Sequence, residues 1–283
     1  MMRSSREHKI RDQEIKNYNE FGFIIQHNAI GNNTLQSLLT ELDHLCSIDS
    51  EKKIVEENGA PCSLYIGLDD SKLISNLWRY PKLLSTVEDL LNSKVYLHQC
   101  KYNSKIGYFG SEIMWHQDFY YWHKLDGMPT SRVVTAALIL DDVDYFNSPL
   151  WFISKSQSYV LDKDKKNIPA QSTSGVELSW VNTEKNKENT VVGDLRYTVE
   201  KDDLKKLIQQ GCKPIPFLGK AGSIAYFHGN LIHASTKNIS PWDRRMLFIT
   251  YNSVENKLLT IKNPRAAFIA NRNYSHLVKV NKF

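Results

Sequence analysis

The chain has 283 residues, with 36 Lys and Arg against 31 Asp and Glu, 41% hydrophobic and 24% charged residues. These are the proportions of a soluble globular protein long enough to bury a sizeable core, as one large β-rich domain or two small ones. The net charge of +5 comes from lysines scattered along the chain, usually near an acid, so it reads as solvated surface and argues against a nucleic-acid face. No apolar run approaches the ~18 residues of a membrane span, and the polar N-terminal stretch lacks the apolar region of a signal peptide. Cys46, Cys62, Cys100 and Cys212 show no CxxC and no regular spacing, which points to reduced thiols in the cytoplasm and away from a disulfide framework or a zinc site.

Residues 11–21 and 33–47 read as amphipathic helices. In the second, Leu35, Leu38, Leu39, Leu42 and Leu45 recur at helical spacing, with Asn33 or Thr34 as cap. A short strand, Gly22 to Gln26, lies between them. Residues 71–92 are helical again, interrupted at Pro81. From about residue 94 the pattern turns to strands rich in Val, Ile, Phe, Tyr and Trp: 94–102, 112–118, 132–140, 148–154, 214–217, 222–228, 231–235 and 244–254. Residues 158–212, rich in Lys, Asp, Asn and Ser with one helix at 200–210, break that pattern and read as a lid or specificity loop. The expectation is one mainly β domain. Residues 1–93 form a helical N-terminal support, 94–157 and 213–256 form the β core, and 158–212 form an insert. Helices first and many short strands later suggest a sandwich or barrel with helices outside.

The most informative segment is Met114-Trp115-His116-Gln117-Asp118. On a strand, residues two apart share a face, so His116 and Asp118 can hold one metal and Gln117 points away. His233, in a second apolar run far downstream, completes a two-histidine, one-carboxylate set, which occupies one face of an octahedral iron and leaves the rest open. About one His-x-Asp/Glu is expected by chance among 9 His and 31 acids, and one occurs, so the surroundings must carry the reading. Arg244 supplies them. It follows His233 by eleven residues, across a stretch with turn chemistry, and a hairpin there would return it beside the metal. A guanidinium fork pairs with a carboxylate. A buried arginine near iron thus suggests a dicarboxylate 2-oxo acid as co-substrate. The plainer reading of Arg244 is a surface cation near Asp243. Arg245 is the competing candidate but faces the other way in a strand.

The run Trp115-His116-Gln117-Asp118-Phe119 continues through Trp122 and His123 to Asp126-Gly127-Met128-Pro129, with Arg132 shortly after. The stretch Asn147-Ser148-Pro149-Leu150 and the block from His233 through Arg244 to Asn256 accompany it. With these blocks the chain, over about residues 10–260, resembles the phytanoyl-CoA-dioxygenase-like iron(II)/2-oxoglutarate oxygenases, and among them the ectoine hydroxylases and related free amino-acid hydroxylases. The resemblance implies a double-stranded β-helix (jelly-roll, cupin-like) and Fe(II), 2-oxoglutarate and O2 as reactants. It implies His116, Asp118 and His233 as iron ligands, and Arg244 with Ser235 as the clamp for 2-oxoglutarate. Lys101 and Asn103 fall near the co-substrate, and Gln99, Trp122 and Phe248 at substrate contacts. Core packing accounts for Trp122 and Phe248 equally well. The sequence departs from the pattern at Ile113, where ectoine hydroxylases carry an aromatic residue, at Lys155-Ser156-Gln157, and over 158–212.

The expected function is hydroxylation of an unactivated C–H on a small zwitterion, a free amino acid or an ectoine-like compound. The small-molecule substrate is the expected partner, with no nucleic acid and no membrane. A homodimer is the base-rate expectation. Two other readings stand beside it. A non-catalytic metal- or ligand-binding barrel gives no reason for the triad and Arg244 together. A zinc hydrolase gives no role to Arg244.

Overall fold

The structure is a computed structural model that describes residues 10–55, 61–159, 180–182 and 197–280. Helix α1 (Asp12–Phe21), strand β1 (Phe23–Gln26) and helix α2 (Asn32–Ser47) open the described chain. Gly22 separates α1 from β1 at φ 85°, a left-handed conformation glycine adopts without strain. The helix α2 starts at Gly31 with no side-chain cap, so neither Asn33 nor Thr34 holds that position. A hairpin of β2 (Lys53–Val55) and β3 (Pro61–Tyr65) follows, then α3 (Lys72–Trp78) and α4 (Pro81–Leu91). Pro81 begins α4 rather than kinking a longer helix, because its missing N–H costs nothing in a first turn.

The remaining elements are β4 (Val95–Lys105), β5 (Ile113–His116), α5 (Asp118–Tyr121), β6 (Val133–Ile139), β7 (Leu150–Ile153), β8 (Trp180–Asn182), β9 (Tyr197–Val199), α6 (Lys201–Gln209), β10 (Pro214–Phe217), β11 (Ile224–His228), β12 (His233–Ser235) and β13 (Arg244–Ser253). Seven strands form one sheet in the order β1-β11-β6-β13-β4-β3-β2, and four form a facing sheet, β10-β7-β12-β5. All pairings are antiparallel. This is a double-stranded β-helix with helices packed outside the larger sheet. The N-terminal part is not purely helical, since β1, β2 and β3 extend that sheet on both edges. Most of the 158–212 insert lies outside the described residues; its described end is β9 and α6.

Every residue of β6 is buried because the large sheet is covered on both faces. On one face Val134, Ala136 and Leu138, with Leu247, Ile249 and Tyr251 of β13, pack against Leu35, Leu38 and Leu42 of α2 and Leu83, Leu84 and Val87 of α4. Each buried Val, Leu or Ile of this face contributes roughly 1.5–3 kcal/mol. On the other face Ala137, Ile139, Met246, Ala225 and Phe227 meet Phe152 and Phe217 of the small sheet. Strand alternation therefore sends the even positions of β13 into the barrel. On β4 the alternation changes phase. Thr250 pairs with Gln99 but Tyr251 pairs with Leu97, so His98 is an extra residue, a β-bulge. Val95 and Leu97 face the helices before it, Cys100 and Tyr102 after it. Gln99, Lys101 and Asn103 are thereby turned inward.

Candidate active site

Strand β5 ends at His116, two residues short of the expected boundary. Gln117 stays extended at φ −118°, ψ 125°, and Asp118 begins α5. The two-residue alternation therefore carries over to Asp118 although it is not in the strand. Gln117 faces away, and its Nε2 donates to the carbonyls of Asn230 and Tyr159. His233 opens β12 directly opposite His116, and the two rings stand 4.2 Å apart.

His116 Nε2 lies 3.5 Å from Asp118 Oδ1, and His233 Nε2 lies 3.7 Å from Asp118 Oδ2. One donor atom from each of the three falls within 4.8 Å of the others. His116 Nδ1 is 2.7 Å from the Met114 carbonyl and His233 Nδ1 is 2.9 Å from that of Leu231. These contacts protonate Nδ1, leaving an Nε2 lone pair on each ring aimed at the shared centre. Burial, with His116 beside it, pushes His233 down to about 4. Burial acts to raise the Asp118 carboxyl, but His233 and His116 outweigh it and hold it below the usual range. At neutral pH His233 is therefore neutral and Asp118 ionised, the forms a cation needs. Two imidazoles and one carboxylate on one side, facing a cavity, fit a divalent iron with open positions.

The cavity of ≈ 170 Å³ is lined by all ten side chains singled out in the sequence. His116, Asp118 and His233 sit at one end of β5 and β12. Ser235, two residues past His233, shares its face. Arg244 opens β13, but not by way of a hairpin: β12 and β13 belong to different sheets, so residues 236–243 cross the barrel and Arg244 faces the small sheet from across it. It is 2% exposed. Its Nε donates to the Ser148 carbonyl at 2.9 Å and Nη2 to Ser148 Oγ at 3.4 Å. Among the described residues it forms no ion pair. Burial lowers it to about 10, still cationic at neutral pH. Arg245 points out of the barrel and binds Asp141 with both arms, at 2.9 and 2.7 Å.

From β4, Gln99 donates to the Ile269 carbonyl at 2.7 Å, Lys101 lies 5.1 Å from the Tyr65 ring centre, and Asn103 Oδ1 accepts from Ser63 at 2.8 Å. Trp122, in the π-helical turn after α5, stacks edge-on against His98 at 5.4 Å, and Phe248 pairs with Lys101 across the sheet. Sequence reasoning missed Tyr65, Tyr121, Thr135, Thr250 and Arg265 of this lining. Thr135 and Thr250 sit on inward positions of expected strands, so alternation held the signal; their hydroxyls meet at 3.0 Å. Arg265 had none. It belongs to the irregular tail after residue 256, which returns over the barrel through Leu259–Gly127, Asn271–His98 and Leu277–Val95 backbone hydrogen bonds. Buried Asp126 grips it at 2.7 and 2.6 Å.

Among the described residues the lining holds Lys101, Arg244 and Arg265 against Asp118, which faces the candidate metal position; Arg265 is already paired with Asp126 behind it, so Lys101 and Arg244 are the uncompensated cations. The site therefore favours anionic ligands beside the metal. This fold, with this donor set and a buried arginine opposite it, defines a non-haem metal-dependent oxygenase. The family model for phytanoyl-CoA dioxygenase matches residues 18–246, and the chain belongs to that family. Ectoine dioxygenase of Bordetella bronchiseptica is 31% identical over 270 residues, covering 92% of this chain and 82% of the relative. L-proline trans-4-hydroxylase of Streptomyces griseoviridis is 29% identical over 266 residues, covering 93% and 94%. The crystal structure of EctD from S. alaskensis with 2-oxoglutarate and 5-hydroxyectoine superposes with a TM-score of 0.78 at 23% identity, covering 99% of this chain and 90% of that one. Membership and donor set together make the protein an iron(II)- and 2-oxoglutarate-dependent hydroxylase.

Proposed function

We propose that the protein hydroxylates an unactivated C–H of a small zwitterion, a free amino acid or an ectoine-like compound. The observation that carries this is the cavity: ≈ 170 Å³, with Lys101, Arg244 and the Asp126-paired Arg265 lining it together with Asp118 of the candidate metal site. Pockets for drug-sized ligands run to roughly 300–1,000 Å³, so the substrate is small. Arg244 accounts for the distal carboxylate of 2-oxoglutarate, and Arg265, whose Nε and Nη2 are held by Asp126, offers its Nη1 to a carboxylate on the substrate. The named activities of the two relatives, on ectoine and on L-proline, support the same substrate class.

His116, Asp118 and His233 would hold the iron. When bound with 2-oxoglutarate and O2, it supplies the oxidation that inserts one oxygen atom into the C–H and leaves succinate and CO2. Arg244 binds and orients the co-substrate by its far end, assisted by the Ser235 hydroxyl, with Lys101 and Asn103 beside it. Arg265 and Gln99 bind the polar end of the substrate. Trp122 and Phe248 flank its apolar atoms and exclude water, which holds the C–H in the cavity beside the three donor side chains.

The test is succinate release by protein loaded with Fe(II), 2-oxoglutarate and O2, against ectoine, lysine, ornithine, arginine, leucine, proline and pipecolate, with mass detection of a product heavier by one oxygen. Succinate coupled to one oxidised compound of this class is the expected result. Iron binding without succinate would favour a non-catalytic barrel, and turnover confined to large or non-zwitterionic compounds would overturn the substrate reading.

A further inference from the structure

Asp126 is the most deeply buried carboxylate among the described residues, at 0% exposure, and it stands behind the cavity wall rather than in it. It ends the π-helical turn Trp122–Asp126, which Gly127 closes in a left-handed conformation, φ 78°, with its N–H on the Trp122 carbonyl. Both oxygens of Asp126 are used: Oδ1 accepts from Arg265 Nε at 2.7 Å and Oδ2 from Arg265 Nη2 at 2.6 Å. His98 Nε2 stands 3.3 Å from Oδ2, and the His98 ring meets the Trp122 ring edge-on. One turn therefore places Trp122 in the cavity wall at its start and, at its end, holds the cation that shares that wall.

The pair is not needed to fasten the tail. The Leu259 N–H already donates to the Gly127 carbonyl at 2.8 Å, and those of Asn271 and Leu277 to His98 and Val95, each at 2.9 Å. A Cβ on Gly127 would stand 2.6 Å from the Leu259 carbonyl oxygen, so tail and turn already touch. Arg272 Nη1 donates to the Arg265 carbonyl at 3.1 Å and holds the backbone there. The Arg265 side chain is what these contacts leave loose, and it is long and rich in rotamers. Among the described residues Asp126 alone grips it by hydrogen bonds. A two-bond fork sets the plane of a guanidinium as well as its place. Burial acts to raise the Asp126 carboxyl, but Arg265 and His98 outweigh it and hold it below the usual range, so the pair is ionised at neutral pH.

We propose that Asp126 is a positioning residue for the substrate: by clamping Nε and Nη2 it aims the Nη1 edge of Arg265 at the carboxylate of the bound zwitterion, at a fixed distance from Trp122 on the same turn. The inference rests on the proposed role of Arg265 in substrate binding. A clamped guanidinium presents directed N–H groups where a loose one presents only charge. The site then selects the spacing between the substrate's carboxylate and the apolar atoms that meet Trp122, and so which C–H reaches the donor side chains.

The experiment compares D126N, D126E, R265A and D126N/R265A with the wild type, all loaded with Fe(II) and 2-oxoglutarate. The probe is the compound of the panel above whose oxidation is coupled to succinate. D126N should raise the substrate KM about tenfold, leave the 2-oxoglutarate KM unmoved and lower the share of succinate matched by oxidised product. Because Asp126 acts through Arg265, D126N/R265A should match R265A within about twofold. D126E keeps the charge but shifts it by one methylene, and Arg265, a quarter exposed, has room to give way. It should fall between wild type and D126N, and it carries the test should D126N fail to fold. D141N is the control. It breaks a fork of the same kind, Arg245 on Asp141 at 2.9 and 2.7 Å outside the barrel, and should leave the substrate KM unchanged. A second readout needs no substrate: the Arg265 Nε–H, assigned by its loss in R265A, should give a solvent-protected ¹H–¹⁵N signal in the wild type and D126E and none in D126N. With R265A impaired, an unmoved substrate KM in D126N and D126E would overturn this proposal alone. So would a D126N effect that adds in full to that of R265A. A wild-type substrate KM in R265A, or no panel compound oxidised, would instead overturn the functional reading and the inference with it.

Discussion

Arg244→Ala isolates the largest electrostatic element of the site. The guanidinium is 2% exposed, held on one edge by Ser148, and without a carboxylate partner among the described residues. A carboxylate bound against its other edge loses two charge-assisted hydrogen bonds in the variant. Removing one partner of a buried pair costs about 3–5 kcal/mol. The alanine also admits water to the stranded carboxylate, which places the loss near the lower figure, about 3 kcal/mol or roughly 100-fold in affinity. The assay is calorimetric titration of 2-oxoglutarate into the iron-loaded protein, alongside the 2-oxoglutarate dependence of succinate release. Arg245→Ala is the control, because its side chain lies outside the barrel on Asp141 and its loss should leave the co-substrate dependence unchanged. A 2-oxoglutarate KM within threefold of wild type in Arg244→Ala would refute the reasoning, and a large rise in Arg245→Ala would relocate the clamp.

Asp118→Gly should abolish both iron retention and succinate formation, since among the described residues neither histidine has another carboxylate in its donor cluster; unchanged iron content by plasma emission would sink the ligand assignment. A chelator should likewise stop turnover, and Fe(II) restore it. Arg265→Ala should raise the substrate KM by about 10- to 100-fold, the worth of a hydrogen bond to a charged group, with the 2-oxoglutarate KM unmoved; the reverse split would assign Arg265 to the co-substrate. Burial alone holds His228 at about 4, below its unfolded value near 6.5. As pH falls through 6.5 towards 4 the unfolded chain takes up a proton that the folded chain does not, so stability is lost on acidification, by about 2 kcal/mol at pH 5 from this residue. Urea unfolding of metal-free wild type and His228→Gln at pH 7 and pH 5 checks this. Equal pH slopes in the two proteins would contradict it.

The strand positions were legible because alternation and β-branched runs mark them, and eight expected strands appear with boundaries moved by a few residues at most. The metal trio needed only a two-residue spacing and a distant histidine. Other features were hidden for identifiable physical reasons. The β2–β3 pair is three and five residues long, too short for alternation to mark it. The bulge at His98 is set by pairing with β13, and single-strand alternation carried through it would have placed Gln99 and Lys101 on the helix side. Arg244 reaches the site by crossing between sheets, a distinction that turn chemistry alone does not make. Arg265 sits in a segment without periodicity, where only tertiary contact assigns a place.

That last segment gives the architecture a division of labour along the chain. The family match ends at residue 246, whereas Arg265 and the Ile269 carbonyl that holds Gln99 come from the stretch beyond it. The three candidate metal donors and Arg244 stand on the barrel strands and the turn after β5, and part of the cavity wall comes from the segment after β13, clasped to the bulge by Asn271. On the proposed role of Arg265, a change in this segment alters the substrate wall and leaves the candidate metal donors untouched. Grafting residues 257–280 between relatives is accordingly a direct route to a changed substrate with an unchanged reaction.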